Sequence, residues 1–298
     1  MRLGGERERN EKEGISVKKV LVTGAEGQLG TDLCLLLKSR GYKVLEKNKT
    51  QMDVTNPDKV EEVILNAHPD VIIHCAAYTK VDEAEKNADL AFLVNTLGTR
   101  YVATAAERLG IPIVYMSTDY VFDGESGVPY HEFSCPSPIN VYGESKFAGE
   151  RIVKEVHSRY FIVRTSWLFG QKGPNFVETM LKLARERASL SVVDDQRGSP
   201  TYTVDLSSSI VGLIGTSRYG TYHISNSGDC SWYGFAKELF IQRGMDVDLK
   251  PCTSEQFKRP AKRPSFSVLD HMGLRNNHFA PMPHWKDGLR RYLAQNPS

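Results

Sequence analysis

Short runs of consecutive apolar and β-branched residues recur through the first half of the chain, at residues 19–23, 42–45, 71–75, 113–117 and 161–164. Strands apolar at successive positions are buried on both faces, as the central strands of a parallel sheet are. Between these runs lie stretches with helical character, at residues 33–38, 88–109 and 142–156. The alternation predicts an α/β fold, a doubly wound parallel sheet covered by helices. From about residue 175 the pattern loosens. Helical segments at 176–186, 204–215 and 235–243 alternate with short extended pieces such as 222–224 and with loops rich in Gly, Ser and Pro. This half reads as a smaller, mixed α/β C-terminal lobe that closes over a substrate and is interleaved with the last strands of the sheet. Residues 1–17 are charged, contain glycine and lack apolar periodicity, so they read as a disordered tail. The expected division is thus a tail at 1–17, a dinucleotide-binding domain at 18–170 and a mainly substrate-binding lobe at 171–298, and no internal repeat is present.

The first run leads directly into Gly24-Ala25-Glu26-Gly27-Gln28-Leu29-Gly30 and then into a helix. Strand, glycine turn and helix in succession make a phosphate cradle. Gly24 allows the tight turn, Gly27 lets the backbone approach a pyrophosphate, Gly30 lets helix and strand pack closely, and the helix N-terminus supplies amide donors. The context makes the sheet Rossmann-like, although the spacing is G-x-x-G-x-x-G. Glu46, at the end of the second run, lies where an acidic side chain binds the adenosine ribose hydroxyls, which favours NAD. Lys47 and Lys49 follow at once and suit the extra phosphate of NADP, so the cofactor is read as NADPH or NADH.

Charge and composition narrow the partners. The 298 residues are 40% hydrophobic and 25% charged, an ordinary globular balance, and the net charge of +2 is too small to imply a nucleic-acid partner. No apolar stretch approaches the roughly 20 residues of a membrane span, and the N-terminus lacks the apolar core of a secretory signal. A cytoplasmic protein is expected. The five cysteines, Cys34, Cys75, Cys135, Cys230 and Cys252, are scattered and read as free thiols, and the eight histidines show no metal-ligand spacing.

Tyr142 and Lys146 stand four residues apart, on one face of a helix. A phenol with a pKa of roughly 10 is a poor proton donor or acceptor at neutral pH, and an ammonium beside it stabilises the phenolate and brings it into working range. Thr118, where the fourth run ends, is placed to hydrogen-bond a reacting oxygen, because ligands of open α/β sheets bind beyond the carboxyl ends of the strands. Ser117 serves that role equally well by position. Asn95, a polar amide inside an apolar helix, reads either as a buried hydrogen-bonding organiser or as a surface residue.

These elements, in this order and at these separations, resemble the extended short-chain dehydrogenase/reductases, and within them the dTDP-4-dehydrorhamnose reductases. Further runs carry the resemblance: Cys75-Ala76-Ala77-Tyr78-Thr79-Lys80-Val81-Asp82, Ser117 through Phe122, Arg164-Thr165-Ser166-Trp167, Asp195 through Thr201, and Arg263-Pro264. It extends over about residues 18 to 290. The resemblance implies that Thr118, Tyr142 and Lys146 are catalytic. It implies that Gly27, Gln28 and Leu29 lie against the pyrophosphate, Asp53 and Val54 near the adenine, and Ala77, Tyr78 and Thr79 along the cofactor's further course, with Tyr142 and Lys146 also reaching it. Thr118, Asp119 and Trp167 would face a dTDP-sugar, and Arg263 would meet its diphosphate, since a guanidinium binds phosphate oxygens in bidentate fashion. A homodimer is left open, and no membrane or metal is implied.

Two other classes share these motifs. Epimerases and 4,6-dehydratases of the same fold recycle their NAD within one turnover, but the dehydratases carry Thr-Asp-Glu where this chain has Thr118-Asp119-Tyr120. Non-catalytic relatives such as the regulatory subunit of methionine adenosyltransferase use the fold to bind a partner, and the intact Thr118, Tyr142 and Lys146 speak against that reading.

Overall fold

The computed structural model describes residues 17–296, so the expectation for residues 1–16 lies outside it. Strands β1 (Lys19–Thr23), β2 (Lys43–Lys47), β3 (Val71–His74), β4 (Ile113–Thr118), β5 (Tyr160–Thr165) and β6 (Gly220–His223) form a six-stranded sheet in the order β6-β5-β4-β3-β1-β2. Every neighbouring pair is parallel. The longer helices are α1 (Gln28–Ser39), α2 (Pro57–Ala67), α3 (Gly98–Leu109), α4 (Val141–Val156), α5 (Phe176–Glu186), α6 (Thr203–Ile214), α7 (Trp232–Arg243) and α8 (Trp285–Gln295).

Alternation along the strands sorts the helices into two layers. Val20 and Val22 of β1, with Val114 and Met116 of β4, pack against Leu33 and Leu37 of α1 and Leu206 and Ile210 of α6. Leu21, between them in sequence, points the other way with Ile72 and Tyr115, onto Ile64 of α2, Val102 and Ala106 of α3 and Val153 of α4. Burial on both faces is why these strands read as continuous apolar runs. The chain leaves β1 on one side for β2 and returns on the other for β3, so a switch point opens at the carboxyl ends of these strands, where such folds bind ligands.

The second half is built around Phe169, Tyr202, Phe235, Trp285, Leu289 and Tyr292, which form a core of their own with α5, α7 and α8. A parallel two-stranded ladder, Ser189–Val193 with Asp248–Cys252, flanks it. β6 and α6, from the same half, return to complete the main sheet and its first layer.

Two elements differ from their sequence reading. Residues 88–109 are not one regular helix: a π-helical turn, Leu93–Leu97, separates Ala88–Phe92 from α3. Helix α2 was not singled out by the pattern, yet its start is written in Asn56-Pro57: the Asn56 side chain accepts from the Lys59 amide at 3.0 Å, and proline occupies the first turn. No helix among the described residues is long and apolar enough to cross a membrane.

Candidate active site

A cleft of about 930 Å³ runs across the carboxyl ends of β1, β3, β4 and β5. Its first end is the glycine turn. Gly24 has φ +62°, and a Cβ there would stand 2.8 Å from the Ala76 amide nitrogen. At Gly30 a Cβ would lie 2.2 Å from the Gly24 carbonyl oxygen, so the start of α1 packs onto the turn only as glycine. Gly27 is the N-cap of α1 and offers no side-chain cap, leaving the first amides of the helix to an anion. The Gln28 Nε2 is buried, lines the cleft and has no partner. This cradle fits the pyrophosphate of a dinucleotide.

Leu29, Asp53, Val54, Ala77, Tyr78 and Thr79 line the same end. Asp53 accepts from the Thr55 amide at 3.0 Å and its hydroxyl at 2.8 Å, and these bonds hold its carboxyl below the usual range. Glu46, expected at the adenosine ribose, stands near the end of β2. It lies outside the cleft lining, and its carboxylate pairs with Lys38 of α1 at 2.7 Å. The strand runs two residues further than its apolar run, and Glu46 points to the helix beside it. The lining carries Glu26, Asn48 and Lys49 instead, with Asn48 Nδ2 donating to Glu26 at 2.7 Å.

The second end is where β4 stops and α4 begins. Asn140 caps α4 by accepting from the Gly143 amide at 2.8 Å, and Gly143 lies so close to the Tyr120 carbonyl that a Cβ would stand 2.2 Å from it. This contact seats Tyr142 and Lys146 beside Thr118 in the cleft. Ser117 and Thr118 are no longer equivalent: the Ser117 hydroxyl donates to the buried Glu150 carboxylate at 2.6 Å, whereas Thr118 lies against the Tyr142 phenol. Burial pushes the Tyr142 phenol up to about 12, opposed by its hydrogen bond to Thr118 and reinforced by the Asp119 carboxylate. The Lys146 ammonium sits over the Tyr115 ring, 4.1 Å from its centroid, and burial pulls its pKa down to about 7.

Asn95 is the buried organiser. Its Oδ1 accepts from the Tyr78 amide at 2.8 Å, and its Nδ2 donates to the Tyr78 carbonyl at 3.1 Å and to Ser145 Oγ at 3.0 Å. One side chain therefore ties Tyr78 of the cleft lining to α4. It sits in the π turn, an insertion that recurs at functional sites.

Asp119 also lines the cleft and is buried, with Oδ1 accepting from Thr118 at 3.0 Å and Oδ2 unpartnered. Burial raises its pKa to about 6. A carboxyl whose folded pKa exceeds its unfolded value holds its proton more tightly in the fold, so stability falls as pH rises from about 4 to about 6. Asp119→Asn is therefore expected to raise the melting temperature at pH 8, by an amount on the order of 2–3 kcal/mol in stability, with the gap closing toward pH 4. Thermal melts across that range check it.

Trp167 lines the cleft in the left-handed region at φ +46°, and its ring stacks on Trp232 with centroids 3.5 Å apart and planes 5° from parallel. Arg263, expected at the substrate diphosphate, stands beside Tyr120 of the cleft lining, and its guanidinium forks onto Asp82 at 3.0 and 2.9 Å. Arg259 binds the same carboxylate at 3.1 Å, so the segment around residue 260 is strapped to the helical turn Val81–Ala84 that follows Tyr78 and Thr79 of the cleft lining.

Comparison with known proteins agrees with this fold. The sequence model of the RmlD substrate-binding domain matches residues 18–297. The chain belongs to the RmlD family. It is 42% identical over 280 residues to the Bacillus subtilis spore coat polysaccharide biosynthesis protein SpsK, covering 94% of this chain and 98% of that one. It is 42% identical over 276 residues to a dTDP-4-dehydrorhamnose reductase of Streptomyces griseus, covering 90% and 91%. A crystal structure of dTDP-4-dehydrorhamnose reductase from Bacillus anthracis in complex with NADP superposes with a TM-score of 0.92 at 50% identity, covering 94% of this chain and 100% of that one.

Within this RmlD fold, the residues that the sequence reading missed are Trp232 and Thr165. Trp232 opens α7, capped by Ser231 through the Gly234 amide at 2.9 Å, but nothing in its local sequence says that it meets Trp167. Thr165 ends β5 with its hydroxyl buried, unpartnered and in the cleft. Position at a strand's carboxyl end was the available signal.

Proposed function

We propose that this protein reduces dTDP-4-dehydro-L-rhamnose to dTDP-L-rhamnose, with NADPH or NADH as reductant, and so supplies a deoxysugar precursor for surface polysaccharide. The observation that carries the reading is one continuous cleft, with a glycine-framed anion cradle at one end and Thr118, Tyr142 and Lys146 at the other. The relatives named dTDP-4-dehydrorhamnose reductase support this choice of sugar and nucleotide; a cytoplasmic location and a homodimer are part of the same proposal.

A reduced nicotinamide dinucleotide, when bound, supplies the hydride for C4 of the keto sugar. The chain's own residues do the rest. The α1 amides and Gln28 hold the pyrophosphate, and Asn95 fixes the wall at Tyr78. Thr118 and Tyr142 donate hydrogen bonds to the ketone oxygen, and Tyr142 gives its proton as charge develops there. A phenol held near 12 keeps that proton until the oxygen becomes basic, and the charged Lys146 steadies the phenolate left behind. Tyr120 stands where the dehydratases place a glutamate, which removes the base needed for elimination of water.

Purified protein incubated with dTDP-4-dehydro-L-rhamnose should oxidise NADPH or NADH in proportion to sugar product. Isomerisation without net change in nicotinamide absorbance would assign an epimerase instead, and a partner-binding relative would do neither. Trp232→Ala removes the ring that supports Trp167 in its strained conformation, and about a tenfold rise in KM for the sugar nucleotide is expected, with dinucleotide affinity unchanged.

A further inference from the structure

Beneath the catalytic helix lies a charged pair with almost no access to water. Glu150 is 0% and Arg164 2% exposed, and Arg164 ranks among the largest fully buried side chains. Arg164 Nε donates to Glu150 Oε1 at 2.8 Å and Nη2 to Oε2 at 2.6 Å, while Ser117 Oγ donates to Oε1 at 2.6 Å. Burying such a pair is costly, and apolar replacements are often as stable, so stability alone does not account for it. Its position suggests another role. Glu150 follows Lys146 by four residues on α4, one helical turn below the ammonium.

Lys146 needs a partner. Its side chain is buried, and its ammonium faces the Tyr115 ring. The titratable groups around it, from every element packed there, are His74 and Cys75 at the end of β3, Tyr115 on β4, and Tyr142 and Glu150 on its own helix. Burial and the nearby ammonium bring His74 down to about 3, so it is neutral at neutral pH. Burial pushes the Cys75 thiol up to about 12 and the Tyr115 phenol well above its ordinary value, so both keep their protons. Tyr142 keeps its proton for the same reason. Among these described neighbours Glu150 is the one carboxylate. Burial pulls the Lys146 pKa down, and Glu150 is the first of the influences that push it back.

We propose that Glu150 is the buried counter-ion that keeps Lys146 charged in the floor of the cleft, and that Arg164 and Ser117 are positioning residues that hold its carboxylate there. The consequence for turnover rests on the reductase reading; the charge coupling itself does not.

The test titrates Lys146 directly, by NMR of protein labelled at the lysine side chain, with Lys146→Met assigning the signal. In the double variant Glu150→Gln/Arg164→Met, which replaces the pair with groups of similar volume, the Lys146 midpoint should fall by about one pH unit or more, a tenfold weaker hold on the proton. Arg164→Met alone frees Glu150 for Lys146 and should move the midpoint up. The pH at which kcat/KM declines on the alkaline side should follow the midpoint in each variant. If the double variant does not fold, Glu150→Leu/Arg164→Leu, which likewise removes both charges, gives the same reading. A folded variant lacking the carboxylate whose Lys146 midpoint stays at the wild-type value overturns the proposal. Wild-type protein that consumes no cofactor with the keto sugar would sink the reductase reading and leave this comparison standing.

Discussion

Tyr142→Phe is expected to lower kcat by about 10²-fold or more while dinucleotide affinity changes little, because the substitution deletes one proton and leaves the packing of the ring. The ring is held edge-on to Tyr120, with centroids 5.8 Å apart, and phenylalanine preserves that contact. Steady-state kinetics with the keto sugar, alongside cofactor titration by fluorescence, separate the two effects. Turnover near that of the wild type would remove Tyr142 from the chemistry. Burial pushes the phenol up to about 12, so the rate of the wild type should not follow its ionisation near neutrality.

Gly27→Val should abolish measurable dinucleotide binding, a loss of about 10²-fold or more in affinity, with a smaller effect on the fold. The backbone at Gly27 is extended, at φ −71° and ψ 172°, which valine adopts freely, and a Cβ would meet the Gly24 carbonyl oxygen at 3.1 Å, tight but open to small adjustment. The branched side chain would then stand over the α1 amides that receive the pyrophosphate. Gly30 behaves differently, since its Cβ would collide with backbone at 2.2 Å, and substitution there should unfold the turn itself. Melting curves and binding isotherms measured together on both variants test the distinction. Retained affinity in folded Gly27→Val would refute the cradle.

Much of this was legible in the residues. Continuous apolar runs identified β1, β3, β4 and β5, since a strand buried on both faces must be apolar throughout; β2, an edge strand of exposed and half-buried residues, showed only as the shorter run 42–45. β6 was harder, because a short extended piece amid irregular loops carries no sign of which sheet receives it. Local motifs located the glycine turn and the pair on α4, where backbone and spacing fix the geometry. What sequence could not supply was long-range pairing. Glu46 sits at the expected offset, yet its carboxylate goes to Lys38; Arg263 has the right chemistry for a diphosphate, yet forks onto Asp82, 181 residues away. Trp232 joins the site through a stack with Trp167 that no local pattern encodes. The spacing of Tyr142 and Lys146 places both on one face, but the ammonium settles on Tyr115, a partner contributed by another element.

The return of β6 and α6 to the main sheet means that the dinucleotide half is not severable. A chain ending at residue 170 would expose β5 as an open parallel edge and strip α6 from Leu33 and Leu37, leaving apolar surface beside unpaired backbone. Such a fragment would pair with copies of itself and precipitate. Attempts to graft the cofactor-binding half onto another substrate lobe would have to carry residues 203–223 with it, and the natural exchange unit is the remainder of the lobe, inserted between β5 and α6 and continued after β6.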